Sequence, residues 1–179
     1  MSKLRLSVMN GEISSGLSCG VDSIDNLMKN AYAKLIFKQG LAYNIFVDGH
    51  LVGNCMMKFV HLIDEDVETY VQNPDFTALE ISYIAIDYRL QHHGIGSQVL
   101  NILIQRSKTI AAYLPVRFLV IDAFENKAAW YTKAGFKEYP KAKDTRYPGT
   151  VPMRMDLINL EEAENYIAPL VEGDKNERI

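Results

Sequence analysis

A chain of 179 residues, 48% hydrophobic and 23% charged, has the size and balance of one ordinary globular domain over 1–179, which excludes a disordered or fibrous protein. A net charge of −3 and a pI near 5.8 give no electrostatic reason for a nucleic-acid or anionic-membrane partner. Cys19 and Cys55 form neither a metal-ligand spacing nor a disulfide framework, the first residues lack an apolar leader core, and no stretch nears the roughly 18 apolar residues of a spanning helix, so a soluble, cytoplasmic protein is expected.

Leu4, Leu6 and Val8 alternate with polar residues and predict a half-buried opening strand. Glycines then punctuate a loop. From Asp22 to Lys38 the apolar residues Ile24, Leu27, Met28, Ala31, Tyr32, Leu35 and Ile36 recur at helical spacing, with Asp22 or Ser23 as N-cap and Gly40 beyond the end. Asp48-Gly49, between the strand-like runs Leu41 to Val47 and Leu51 to Leu62, predicts a hairpin, and Gly53 a bulge. An acidic stretch, Asp64 to Glu68, reads as a solvated connector that a cationic amine would also find attractive.

Leu79 to Asp87 is a nearly unbroken apolar run of the kind a sheet buried on both faces requires, and it leads into a glycine loop and a helix from Ser97 to Ile110. Strand, glycine loop and helix N-terminus together make an anion site, because free N–H groups converge where the helix dipole favours negative charge. Spacing excludes two phosphate motifs. A dinucleotide fingerprint needs a glycine where Val99 stands, and a P-loop needs Gly-Lys-Ser/Thr, which is absent. What remains is Gln-x-x-Gly-x-Gly at Gln91, Gly94 and Gly96. Downstream, after a strand-like run from Val116 to Ala123, come Asn126-Lys-Ala-Ala-Trp-Tyr131-Thr-Lys-Ala-Gly135-Phe136, where Asn126 can cap a short helix and Gly135 can end it. Val151, Met153, Met155 and Leu157 alternate as a closing strand, Lys141 to Gly149 read as a basic loop, and Leu160 to Val171 as a weakly amphipathic tail.

The glycine motif resembles the pyrophosphate-binding loop of the GNAT superfamily of acetyl-CoA-dependent N-acetyltransferases, and the second segment resembles that family's N-x-x-A-x-x-x-Y-x-x-x-G-F run, offset by about a residue near Ala128 and Ala129. Together they cover roughly residues 79 to 139. The resemblance implies the α/β GNAT fold: a mixed, mostly antiparallel twisted sheet with a splayed central strand pair and helices on both faces. It further implies transfer of an acetyl group from acetyl-CoA to a primary amine, of a small molecule or a protein, in a ternary complex. The thioester arm would enter the splay beside Ile84, Ala85 and Ile86, with an N–H near Ile86 as oxyanion donor, and the helix from Asp22 would line the acceptor side. The pyrophosphate would sit on the N–H groups from Gln91 through His92, His93, Gly94, Ile95, Gly96 and Ser97, and Asn126 joins this cofactor set. Tyr131 takes the general-acid position. Glu80 matches the glutamate that, in the family's histone acetyltransferases, acts as base through water, and desolvation between Leu79 and Ile81 would suit that role. No metal is implied, and a homodimer is an allowed assembly. Two other readings stand beside this one: a toxin-type GNAT acetylating aminoacyl-tRNA, against which the acidic pI argues, and a non-catalytic acyl-CoA-binding module.

Overall fold

The computed structural model describes residues 3–11, 16–63, 75–139 and 147–158. The acidic connector, most of the basic loop and the tail fall outside these residues. Seven strands, β1 (Leu4–Val8), β2 (Leu41–Val47), β3 (His50–Ile63), β4 (Asp75–Ile86), β5 (Phe118–Phe124), β6 (Lys137–Glu138) and β7 (Thr150–Asp156), form one sheet in the order β1-β2-β3-β4-β5-β7-β6. Among the described strands only β4 and β5 run parallel. A parallel pair needs a crossover, and helix α3 (Ile95–Ala111) supplies it.

Both faces of the sheet are covered. The sheet's α3 face, with Leu79, Ile81 and Leu119, packs on Val99, Leu100 and Leu103 of α3 and on Tyr131 of the short helix α4 (Ala128–Lys133). The other face, with Met56, Tyr83 and Ala85, is covered by α1 (Asp22–Lys29) and α2 (Ala31–Ile36). Core packing of this kind on two faces is what the apolar run of β4 requires.

Several expectations shift by a turn or less, each for a local reason. The single helix expected over Asp22 to Lys38 is two. Asn30 Nδ2 donates to the Asn26 carbonyl at 2.9 Å, the acceptor its own N–H would take in a continuous helix, and that N–H turns to the Leu27 carbonyl at 3.2 Å. The N-cap position of α1 is Val21, with no side-chain cap. The Asp48-Gly49 hairpin is present, both residues holding positive φ (50° and 84°) as a two-residue turn of this hand demands. The bulge expected at Gly53 falls beside it, where Ile45 pairs Gly53 and Phe46 pairs Leu51. Gly53 itself serves a close approach, since a Cβ there would lie 2.2 Å from the Ala85 carbonyl oxygen of β4.

Candidate active site

The site begins where the sheet comes apart. β4 and β5 pair only at Ala78–Phe118, Leu79–Leu119 and Glu80–Val120, although both strands run on, to Ile86 and Phe124. At the fork β4 is bulged at Ser82, because Met57 pairs Ile81 while its neighbour Met56 pairs Tyr83. Beyond the bulge, Asp87 N–H bonds the Val52 carbonyl at 2.9 Å, which fixes the ladder's alternation. Ala85 then faces β3, and Ile84 and Ile86 turn their N–H and C=O groups away from β3 into the gap. The fork thus leaves extended main chain without a strand partner along a slot inside the sheet.

The strand's end is anchored before the glycine loop starts. Asp87, 2% exposed, caps a one-turn 3-10 helix at Tyr88–Leu90 and takes both a backbone bond and a two-pronged guanidinium contact from Arg89, at 3.0, 2.8 and 2.7 Å. The Arg89 hydrogen bonds hold its carboxyl below the usual carboxylate range against the opposing effect of burial. The loop that follows turns through positive φ at His92 (64°) and Gly94 (76°). The first hydrogen bond leading into α3 runs from Gln98 N–H to the Gly94 carbonyl at 3.2 Å, so the N–H groups of Ile95, Gly96 and Ser97 lie ahead of the helical ladder. A Cβ at Gly94 would meet nothing within 4 Å, and one at Gly96 only the edge of Trp130 at 3.8 Å, so the space over the loop is open. No carboxylate occurs from Gln91 to Ser97. Open space, free donors and the absence of competing negative charge fit a pyrophosphate.

The other predicted loop residues divide. His93 Nδ1 lies 2.7 Å from the Gln91 carbonyl and 3.3 Å from that of Leu90, so with two acceptors as partners this nitrogen carries the proton. His92 is exposed. The Gln91 side chain is turned inward, its Nε2 donating to the Cys19 carbonyl at 2.8 Å and the Ile86 carbonyl at 3.0 Å. Asn126 does not cap α4 as expected. It sits exposed in a one-turn 3-10 helix, Glu125–Lys127, and the N-cap position falls to Lys127.

Tyr131 is 6% exposed, with its ring edge-on to Trp130 at 4.6 Å and to Phe136 at 5.7 Å. Burial pushes its phenol above the ordinary value of 10.0. Gly135, at φ 99°, ends the helix, and Phe136 N–H returns to the Tyr131 carbonyl at 3.1 Å. Trp130, to which the sequence assigned no role, donates from Nε1 to Ser97 Oγ at 3.0 Å and so ties α4 to the mouth of α3. Spacing alone gives no sign of that bond.

Glu80 stands at the closed end of the fork, on the face opposite Tyr131, because its neighbours Leu79 and Ile81 face α3. It is not the carboxylate enclosed by apolar side chains that the sequence suggests. Its side chain is 24% exposed, ion-paired with Lys58 Nζ at 3.1 Å, and accepts from Ser82 Oγ at 3.3 Å. The two candidate catalytic groups therefore flank the fork from opposite faces. Among the described residues no cluster of His, Cys, Asp and Glu could hold a metal, and no helix is long and apolar enough to cross a membrane.

No protein-family model and no curated protein matches the chain in sequence. Solved structures do match in shape. A bacterial toxin superposes with a TM-score of 0.75 at 16% identity, covering 96% of this chain and 97% of its own. A Tyr-to-Phe mutant of KacT gives 0.73 at 13% identity, over 89% of this chain and 98% of its own. AtaT, solved as a complex with acetyl-methionyl-tRNA, gives 0.69 at 12% identity, over 92% of this chain and 99% of its own; its AtaTR assembly has been solved with acetyl-CoA bound. Identities this low speak to the fold, and with the forked sheet and the glycine loop in place they establish that the chain has the GNAT fold.

Proposed function

We propose that the chain is an N-acetyltransferase that moves an acetyl group from acetyl-CoA to an amine by direct attack in a ternary complex. The observation that carries this reading is the juxtaposition of the slot beside Ile84 and Ile86 with an open, donor-rich glycine loop at the end of the same strand. An amide-bearing arm can pair along Ile84 to Ile86 while its pyrophosphate rests on the loop from Gln91 to Ser97. Acetyl-CoA would supply an acyl group already activated as a thioester. The chain contributes the rest. Ile86 N–H offers a hydrogen bond to the acyl oxygen, a contact typically worth about 3 kcal/mol when charge develops there. Tyr131 holds a proton for the leaving sulfur, and Glu80, reached through water, accepts one from the amine.

Trp130, the sole tryptophan, lies against the loop and makes a built-in reporter. Titration with CoA should change its fluorescence, and calorimetry should return the same affinity. Incubating acetyl-CoA with a panel of amines should release free CoA. A folded protein that binds no CoA by either measurement would sink the proposal.

A second reading gives the amine an owner: the α-amino group of an aminoacyl-tRNA. Its support is likeness over nearly the whole chain to a bacterial toxin, and to AtaT with its acetylated tRNA. The net charge of −3 opposes it, because a phosphate backbone is gripped mainly by cations. Radiolabelled acetyl transfer to a charged tRNA pool, compared with free amino acids and polyamines, separates the two. Label in tRNA that falls steeply with added salt favours the toxin-type reaction, and label in the small amines alone excludes it.

A further inference from the structure

We propose that the Gln91 side chain is a positioning strut that fastens the turn opening α1 to the end of β4, and is not a ligand of the phosphate. The proposal builds on the reading of the glycine loop as a CoA site. A primary amide has two N–H protons, and both have acceptors here: Cys19 carbonyl at 2.8 Å and Ile86 carbonyl at 3.0 Å. Only the amide oxygen remains, and an acceptor repels an anion. The two carbonyl partners also fix which end of the amide is nitrogen.

The strut joins two segments that are far apart in sequence. Tyr88 N–H bonds the Ser18 carbonyl at 2.9 Å beside it. Asp25, in the first turn of α1, accepts from Ser18 Oγ at 2.5 Å and from Cys19 N–H at 2.8 Å. A continuous set of bonds therefore runs from the Ile86 carbonyl through Gln91 and Cys19 to Asp25. Helices α1 and α2 cover Tyr83 and Ala85, so the strut sets the register of that wall against the strand that borders the slot. The wall and the loop are held as one body by a side chain that touches neither substrate.

The chemistry required of this position is donation to two carbonyls, and substitutions separate that from packing. Gln91→Met keeps the length and removes both donors. Gln91→Glu sets carboxylate oxygens against two carbonyls, and Gln91→Arg restores N–H donors. Hydrogen exchange read by mass spectrometry, with and without CoA, is combined with CoA affinity from Trp130 fluorescence. In the Met and Glu variants the amides from Ser18 to Met28 should exchange roughly tenfold faster, the effect of about one net hydrogen bond, while CoA affinity falls far less; Arg should recover the protection. Affinity lost in the Met variant with exchange at Ser18 to Met28 unchanged would make Gln91 a phosphate ligand and overturn the proposal. Unchanged exchange with unchanged affinity overturns it as well. If the wild-type protein binds no CoA, the loop reading fails, yet the exchange data still decide the strut.

Discussion

Tyr131 is fixed by two aromatic rings, Trp130 and Phe136, and by the glycine turn that ends its helix. A phenol whose pKa is raised by burial keeps its proton throughout the neutral range, which is the state an acid must be in before it acts. Tyr131→Phe retains the ring contacts and deletes the hydroxyl. We expect kcat to fall by roughly 10²- to 10⁴-fold with CoA affinity and melting temperature little changed. Wild-type turnover in that variant, on a substrate for which chemistry is limiting, would assign the proton to water. Glu80→Gln should lower kcat/KM and displace the acidic limb of the pH-rate profile; an unmoved profile would leave Glu80 as the partner of Lys58 and nothing more. Motif spacing singled out Tyr131 and Gly94 as candidates. It could not show Lys58 beside Glu80 or Trp130 against Ser97, because both contacts depend on register between segments 22 and 33 residues apart.

Elements follow sequence best where backbone chemistry is local. Asp48-Gly49 announces its hairpin because few residues accept two successive positive φ angles. Asn30, by contrast, stands within an unbroken helical periodicity, and only the competition of its own side chain for a carbonyl splits α1 from α2. The two-residue β6 carries too little pattern to be read at all. Gly53→Ala tests the element that shapes the slot. A Cβ 2.2 Å from the Ala85 carbonyl must push β3 and β4 apart, so urea unfolding should show a loss of roughly 1–3 kcal/mol, with CoA binding weakened because the ends of those strands carry Ile86. Gly94→Val tests the loop. Its φ of 76° is costly for a branched side chain, and the added carbons fill the open space, so calorimetry should find no CoA binding in a protein whose circular dichroism is intact.

Across the whole molecule, burial raises several proton-bearing groups together. The Cys19 thiol is pushed from 9.0 up to about 11 by burial and by its bond to Asp25, the Cys55 thiol to about 12 by burial, and the Tyr139 phenol from 10.0 to about 12 by burial and then by Asp122 and Glu80. Unfolding lets these groups ionise near their ordinary values, so the folded state binds more protons once the pH passes about 9. Stability should be level from neutral pH up to that point and fall as the pH rises through about 11 to 12, which urea midpoints measured across the range will show; a profile level from neutral pH to pH 12 would mean the thiols and the phenol are more solvated than the structure places them. The order of the strands lies beyond hydrophobic periodicity, which fixes faces but not neighbours, and for this chain it was legible only through resemblance. The fork has one more effect at this scale. A strand edge at the rim of a sheet invites any passing chain to pair with it, the route by which many proteins aggregate. Here the unpaired edge of β4 past Glu80 lies inside the sheet, with β5 and its partner β7 standing between it and that rim, so the stickiness that would be a hazard on the outside is available only to a guest slender enough to thread inward.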